Sequence, residues 1–192
     1  FIMELKSILS AIDHTALSQT VTWPEIKTLC DEGMQCGVAC VCIPPCYVRP
    51  AAQYVEGKLK ICTVVGFPNG YETSQTKCME TTRAGRDDEV LSEIRSVRVA
   101  SRGKILKVIV ETCLLTQEEK IRICEIVSRS GADFIKTSTG FSSGGARETD
   151  ILLFKKYISP HLKIKAAGGI RTLEQAQRFL ALGASRIGSS AI

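Results

Sequence analysis

Three lysines recur at a fixed interval: Lys107, Lys136 and Lys165 stand 29 residues apart. Each lies in a short apolar run, Ile105-Leu-Lys-Val-Ile-Val-Glu111, Asp133-Phe-Ile-Lys-Thr-Ser-Thr139 and Leu162-Lys-Ile-Lys-Ala-Ala167. Runs of this length and content read as buried strands, and the stretches between them have helical spacing. A repeat of roughly 30 residues is the length of a strand-helix-strand unit with parallel strands. The interval therefore predicts three neighbouring parallel strands with their ammonium groups at similar heights. Crowded, partly desolvated lysines lower one another's pKa, and a lysine so lowered is an amine nucleophile at neutral pH.

The alternation extends along the chain. Strands are expected at 11–14, 37–43, 60–66, 105–111, 133–139, 162–167 and 185–188. Helices are expected at 23–35, 47–55, 73–83, 87–101, 116–130, 148–158 and 172–182. Thr22 and Pro24 suit the start of the first of these helices, and Thr116 with Glu119 forms a capping box. Continuous apolar strands separated by helices specify an α/β protein whose parallel sheet is covered on both faces. The expected fold is a single (β/α)8 TIM barrel domain over residues 1–192, and it is one strand short. The shortfall falls near 83–86, where one helix runs through Ala84-Gly85 into the next with no strand between. Either the barrel lacks a unit there or residues are omitted. Omission is favoured, because a gap exposes two sheet edges.

The 192 residues carry 44% apolar and 23% charged side chains, ordinary values for a globular domain. No apolar run is long enough to span a membrane, and no leader segment is visible at the N-terminus. The net charge of +5 is scattered rather than clustered, which argues against nucleic acid and suits a small anionic metabolite. Nine cysteines fall mostly inside apolar runs, and no Cys-x-x-Cys pair occurs. Reduced thiols in a cytoplasmic protein are expected. A zinc site is not, since Cys36, Cys40, Cys42 and Cys46 have no nearby histidine. His14 and His161 are the only histidines, so neither metal nor cofactor is expected.

Strand alternation turns Phe134, Lys136 and Ser138 to one face and Ile135 to the other, so Lys136 should point into the barrel. Its plainest structural role would be a salt bridge to an interior acid such as Glu111. Lys165 also points inward, as a tuner of Lys136 or as a partner for phosphate or carboxylate. Lys107 sits low in its strand, as a paired core lysine or a functional one. Asp13 either orients a substrate hydroxyl or caps a turn, and Cys42 faces either the site or the core. Gly140, Gly144-Gly145, Gly168-Gly169 and Gly188-Ser-Ser190 follow the late strands. Glycine-rich loops there let backbone amides hold a phosphate.

Several of these stretches together carry a family signature: Ile12-Asp-His-Thr15, Val41-Cys-Ile-Pro44, Cys62-Thr-Val-Val-Gly-Phe-Pro68, Leu106-Lys-Val-Ile-Val-Glu-Thr112, Asp133-Phe-Ile-Lys-Thr-Ser-Thr-Gly-Phe141 and Lys165-Ala-Ala-Gly-Gly-Ile-Arg171. From about residue 8 onward the chain closely resembles the deoxyribose-phosphate aldolases. The resemblance implies a metal-independent class I aldolase on a TIM barrel. Such an enzyme reversibly cleaves 2-deoxy-D-ribose 5-phosphate to D-glyceraldehyde 3-phosphate and acetaldehyde. It implies that Lys136 forms the Schiff base and that Lys165 lowers its pKa. Gly168, Gly169, Arg171, Gly188 and Ser190 would hold the phosphate, with Gly140 and Ser189 in the same glycine-rich rim. Asp13, Thr15, Cys42, Lys107 and Thr139 match positions that line the pocket. The family's fourth strand, with an aspartate used in proton transfer, has no counterpart between Arg83 and Arg86. Nor does the chain, ending at Ile192, reach the family's C-terminal tail with its tyrosine. A chain complete as it stands would be crippled or misfolded, whereas one with residues omitted would be an ordinary aldolase. Other Schiff-base lyases of sugar phosphates, or a non-catalytic sugar-phosphate binder, are the competing expectations. A homodimer is the assembly expected if the chain self-associates.

Overall fold

The computed structural model describes residues 4–69 and 87–191. Its seven strands are β1 (Ile12–Thr15), β2 (Cys40–Ile43), β3 (Ile61–Thr63), β4 (Lys107–Ile109), β5 (Phe134–Lys136), β6 (Lys163–Ala167) and β7 (Arg186–Ser189). The helices are α1 (Leu5–Leu9), α2 (Trp23–Cys36), α3 (Val48–Val55), α4 (Asp87–Ala100), α5 (Gln117–Arg129), α6 (Glu148–Tyr157) and α7 (Leu173–Leu182). Strands β2 to β6 are shorter than the apolar runs containing them, while β1 and β7 keep the expected length and begin one residue later. Past β4, Glu111 already has a φ of 48°. Helix α1 has no counterpart in the sequence reading, and the expected helix at 73–83 lies outside the described residues. The capping box of Thr116 and Glu119 forms: the Thr116 N–H donates to Glu119 Oε2 at 2.7 Å, and the Glu119 N–H to Thr116 Oγ1 at 3.3 Å.

All pairings are parallel, in the order β3-β2-β1-β7-β6-β5-β4. The first and last strands are neighbours, which is the closure of a TIM barrel. The curl is visible in the ion pair that Lys107 of β4 makes with Asp13 of β1 at 2.7 Å. Four strand spacings separate these elements along the sheet, about 19 Å if it lay flat. Their side chains meet only across a rolled interior. Among the described residues β3 and β4 each pair on one side alone, and the expected missing strand falls between them.

Alternation sorts the side chains. Outward residues Ile12, Val108, Ile135, Ile164, Ala166 and Ile187 pack under α1 and α4–α7 in one large apolar cluster. Val41 and Ile43 do the same under α2 and α3 in a second. Burying each such Ile or Val contributes roughly 1.5–3 kcal/mol, and this apolar jacket fixes the barrel. The inward set is polar: Asp13, Cys40, Cys42, Lys107, Lys136 and Lys165. The sequence folds so that chemistry occupies the lumen and oil the outside.

Candidate active site

Lys136 ends β5 and is 7% exposed. Lys165, on β6, is its register partner, so the two backbones run about 4.8 Å apart at this level. The equal interval does give these two a common height. It does not for Lys107, which pairs with Phe134 and lies two residues lower. Neighbouring barrel strands are staggered by the shear that closes the sheet, and equal spacing in sequence does not fix register.

The three ammonium groups have different surroundings. Asp13 is fully buried and is the hub. Lys165 Nζ donates to its Oδ2 in a very short contact, and Lys107 Nζ donates to the same oxygen at 2.7 Å. The Cys40 thiol donates to Oδ1 at 3.0 Å. Burial alone would raise the Asp13 pKa, but the ammonium groups of Lys165 and Lys107 outweigh it and hold the carboxyl below its ordinary range. Burial likewise opposes the charge on Lys107, and Asp13 and the nearby thiols overcome it, raising its pKa. Lys136 has no ion pair among the described residues. Its pKa is lowered to about 8, first by burial and second by the charge of Lys165. The structural alternative for Lys136, a salt bridge to Glu111, does not form: Glu111 turns instead to Thr139.

Two aromatic rings missed by the sequence reading supply part of that burial. The Phe67 ring centroid lies 5.9 Å from Lys136 Nζ, and Phe141 meets Phe67 edge-on at 5.3 Å. Glu111, also missed as a functional group, is 6% exposed. It accepts the Thr139 backbone N–H at 3.0 Å and the Thr139 hydroxyl in a very short contact. With its proton committed to Glu111 and the Phe141 N–H donating to it at 3.1 Å, the Thr139 oxygen offers a ligand only acceptor capacity. The signal for Glu111 was a carboxylate inside an apolar run, which is costly to bury without partners.

The remaining candidates occupy the carboxyl ends of the strands. Thr15, the register partner of Cys42, donates its hydroxyl to the Asp13 carbonyl at 2.8 Å. Cys42 is 3% exposed and belongs to neither apolar cluster; it faces the lumen. The loops bearing Gly140, Gly145 and Gly168 touch backbone to backbone. A Cβ on Gly145 would sit 2.3 Å from the Gly168 carbonyl oxygen, so only glycine fits. Gly140, Gly168 and Gly169 have φ of 88°, 88° and 77°. Gly188 is the register partner of Ala167, and a Cβ there would press on Ala167 and Lys165. Ser190 and Arg171 are exposed at this end. Ser189 is buried, its hydroxyl bonded to the carbonyls of Ile170 and Ala191. A cleft of about 490 Å³ opens beside Gly168 and Gly169, with Arg147 and Arg178 in its wall. Neither arginine was singled out from the sequence. Among the described residues no group of three or more His, Cys, Asp or Glu side chains is arranged for a metal ion. No described helix is long and apolar enough to cross a membrane.

A buried, unpaired lysine beside a paired one, with a glycine shelf at the same barrel end, suits imine chemistry on an anionic carbonyl compound. Comparison with known proteins points the same way. The model of the DeoC/LacD family aldolases matches residues 78–190. A deoxyribose-phosphate aldolase of Streptococcus agalactiae serotype Ia is 52% identical over 209 aligned positions, covering 99% of this chain and 94% of that one. The alignment is longer than the 192 residues available, so that relative carries positions for which this chain has no counterpart. Among solved structures, a putative deoxyribose-phosphate aldolase from Coccidioides immitis superposes with a TM-score of 0.92 at 36% identity, over 98% of this chain and 84% of that one. A deoxyribose phosphate aldolase from Aeropyrum pernix, described as a unique tetramer, superposes at 0.86 with 26% identity, over 98% and 88%. Matching family model, near full-length identity and the α/β barrel agree, and the chain belongs to the DeoC/LacD aldolase family.

Proposed function

We propose that this chain is a deoxyribose-phosphate aldolase of class I, working through a Schiff base on Lys136 and requiring no metal or cofactor. The observation that carries the reading is the state of Lys136: buried, unpaired among the described residues and lowered to about 8, next to a lysine that Asp13 pairs. Near neutral pH a usable fraction of Lys136 is then uncharged.

Neutral Lys136 attacks the aldehyde carbon of open-chain 2-deoxyribose 5-phosphate, and water leaves to give the iminium. The iminium draws electrons from the bond two carbons along, which breaks and releases glyceraldehyde 3-phosphate. The enamine left on the lysine takes up a proton and is hydrolysed to acetaldehyde. Lys165 and Asp13 border this centre and are the groups at hand for moving protons at the imine. Thr139, held by Glu111, accepts a substrate hydroxyl proton as a hydrogen-bond partner. The rim of Gly140, Gly168, Gly169, Arg171, Gly188 and Ser190 anchors the phosphate, which fixes the reacting carbon relative to Nζ. Ser189 contributes by shaping that rim. A cytoplasmic setting and an assembly of identical copies, a homodimer at least, belong to the same reading; the free thiols of the described cysteines support the former.

Proton removal from the hydroxyl at the breaking carbon falls, in the family resemblance, to an aspartate on the fourth strand. We place the positions that the relatives carry and this chain lacks at the 83–86 junction, where that strand belongs. A second reading follows from this single feature: a chain that forms the imine but cleaves slowly. Borohydride reduction in the presence of deoxyribose 5-phosphate, followed by peptide mapping, tests the first step. Label is expected on Lys136, and label elsewhere overturns the assignment. Release of glyceraldehyde 3-phosphate, followed with a coupled dehydrogenase, tests the second. Trapping without release selects the impaired reading.

A further inference from the structure

Three thiols stand together in the lumen, and the aldolase chemistry leaves Cys62 among them without a task. Cys40 and Cys42 occupy alternate positions of β2 and project to the inner face; they are 6% and 3% exposed. Cys62, on β3, is half-buried and is the register partner of Cys42. Its sulfur lies beside the thiols of both Cys40 and Cys42. Lys107 Nζ lies 3.9 Å from Cys62 Sγ on another side. The neighbouring Cys40 and Cys42 thiols hold the Cys62 pKa low against the cost of burial, with Lys107 assisting. The same contacts push Cys40 and Cys42 up. The cluster thus sets the Cys62 sulfur beside its register partner Cys42 and 3.9 Å from an ammonium group, while the Cys40 thiol donates its hydrogen bond to Asp13. That environment marks a reactive cysteine, in contrast to inert core thiols such as Cys30 and Cys124.

We propose that Cys62 is an oxidation site for peroxides, with Cys42 as its resolving partner. The Cys62 thiolate attacks one oxygen of hydrogen peroxide or an alkyl hydroperoxide. An S–O bond forms and the O–O bond breaks. The sulfur loses two electrons, and the departing oxygen leaves as water or alcohol after taking a proton. Cys42 then attacks the sulfenic sulfur as its own proton is lost. The S–S bond forms, and the hydroxide leaves as water with that proton.

Backbone geometry selects Cys42 over Cys40. Directly paired parallel residues lie about 4.8 Å apart, within the roughly 4.4–6.8 Å that a disulfide spans. Cys40 lies diagonally from Cys62, two residues down β2 from its partner. Diagonal neighbours are about 7–8 Å apart, beyond what a disulfide bridges without backbone movement.

The test uses the intact chain and needs no turnover, so it stands apart from the aldolase reading. The reduced protein is titrated with hydrogen peroxide, quenched by alkylation and mapped by mass spectrometry. The expected product is a Cys42–Cys62 disulfide that dithiothreitol reverses. Cys62 should be consumed on the order of tenfold faster than Cys30 or Cys124, which stay thiols. In Cys42→Ala the reaction should stop at the sulfenic acid, trapped on Cys62 by dimedone; in Cys62→Ala both products should vanish. A main disulfide other than Cys42–Cys62, or dimedone labelling of Cys42 in Cys62→Ala, overturns the proposal. So does a Cys62 that oxidises no faster than Cys30.

Discussion

Replacing Lys136 by Met should make the protein more stable, and the gain should depend on pH in a defined way. An unfolded lysine holds its proton up to its ordinary value of 10.5, whereas folded Lys136 releases it at about 8. Below pH 8 both states are protonated, and the folded state bears the full cost of keeping the charge buried. A separation of about 2.5 units corresponds to about 3 kcal/mol. Between pH 8 and 10.5 the unfolded chain binds the extra proton, so wild-type stability rises with pH and the cost is relieved. Above 10.5 both states are neutral. Methionine is close to lysine in length, fills the same space and has no charge.

Urea denaturation of both proteins from pH 6.5 to 10.5 measures this. The Lys136→Met variant should exceed the wild type by about 3 kcal/mol near pH 7, and the difference should shrink steadily above pH 8. Other titrating groups are common to both proteins and cancel in the difference, and any change in packing adds a pH-independent offset. The slope is therefore the diagnostic. A difference that stays flat from pH 7 to 10.5 would refute the claim that the surroundings of Lys136 lower its pKa, and the nucleophile assignment would lose its physical basis.

Other perturbations probe the same centre. Lys165→Leu should move the rising limb of the activity–pH profile upward from about 8, yet leave it below 10.5, because burial is the larger cause and persists; an unmoved limb removes Lys165 from the tuning role. Phe67→Ala admits water over Lys136 and should shift the limb upward as well, with borohydride trapping at pH 7 falling in parallel. Glu111→Gln weakens the grip on Thr139; loss of charge-assisted bonds worth roughly 1.5–3 kcal/mol should lower the thermal melt by several degrees, and kcat/KM should fall as Thr139 loses its fixed position. In Gly145→Ala the new Cβ strikes the Gly168 carbonyl, so KM for the sugar phosphate should rise at least about tenfold, while KM for free deoxyribose changes less.

The order of strands and helices was legible because most strands lie in apolar runs and helices such as α2 and α5 start at recognisable caps. The inward aim of Lys136 was equally legible, since Ile135 needed the oily side. Long-range consequences of the curl were not. No local pattern says that Lys107 reaches across the lumen to Asp13, that Phe67 and Phe141 close over Lys136, or that Glu111 holds Thr139. The lysine interval illustrates both sides. It set Lys136 and Lys165 level, yet the link from β4 to β5 carries a stagger of two residues that spacing alone does not encode. Strand lengths were overestimated for a related reason: the apolar runs continue past the strand ends toward the barrel mouth, as at β4, where Val110 is still buried.

The division of labour between Asp13 and the aromatic rings explains why burial outranks charge at Lys136. Three ammonium groups in one lumen would repel strongly, and a single carboxylate binds two of them. Asp13 thereby pairs with both Lys165 and Lys107 inside the barrel, but its negative charge also offsets part of the repulsion that Lys165 exerts on Lys136. A cationic neighbour that is itself neutralised is a weak lever. The third lysine is then lowered chiefly by burial: among the described residues it has no carboxylate partner, and Phe67 closes over it. This asymmetry also orders the roles. In the proposed mechanism Lys165, tied to Asp13, borders the imine, and Lys136, with no ion pair among the described residues, is the nucleophilic amine.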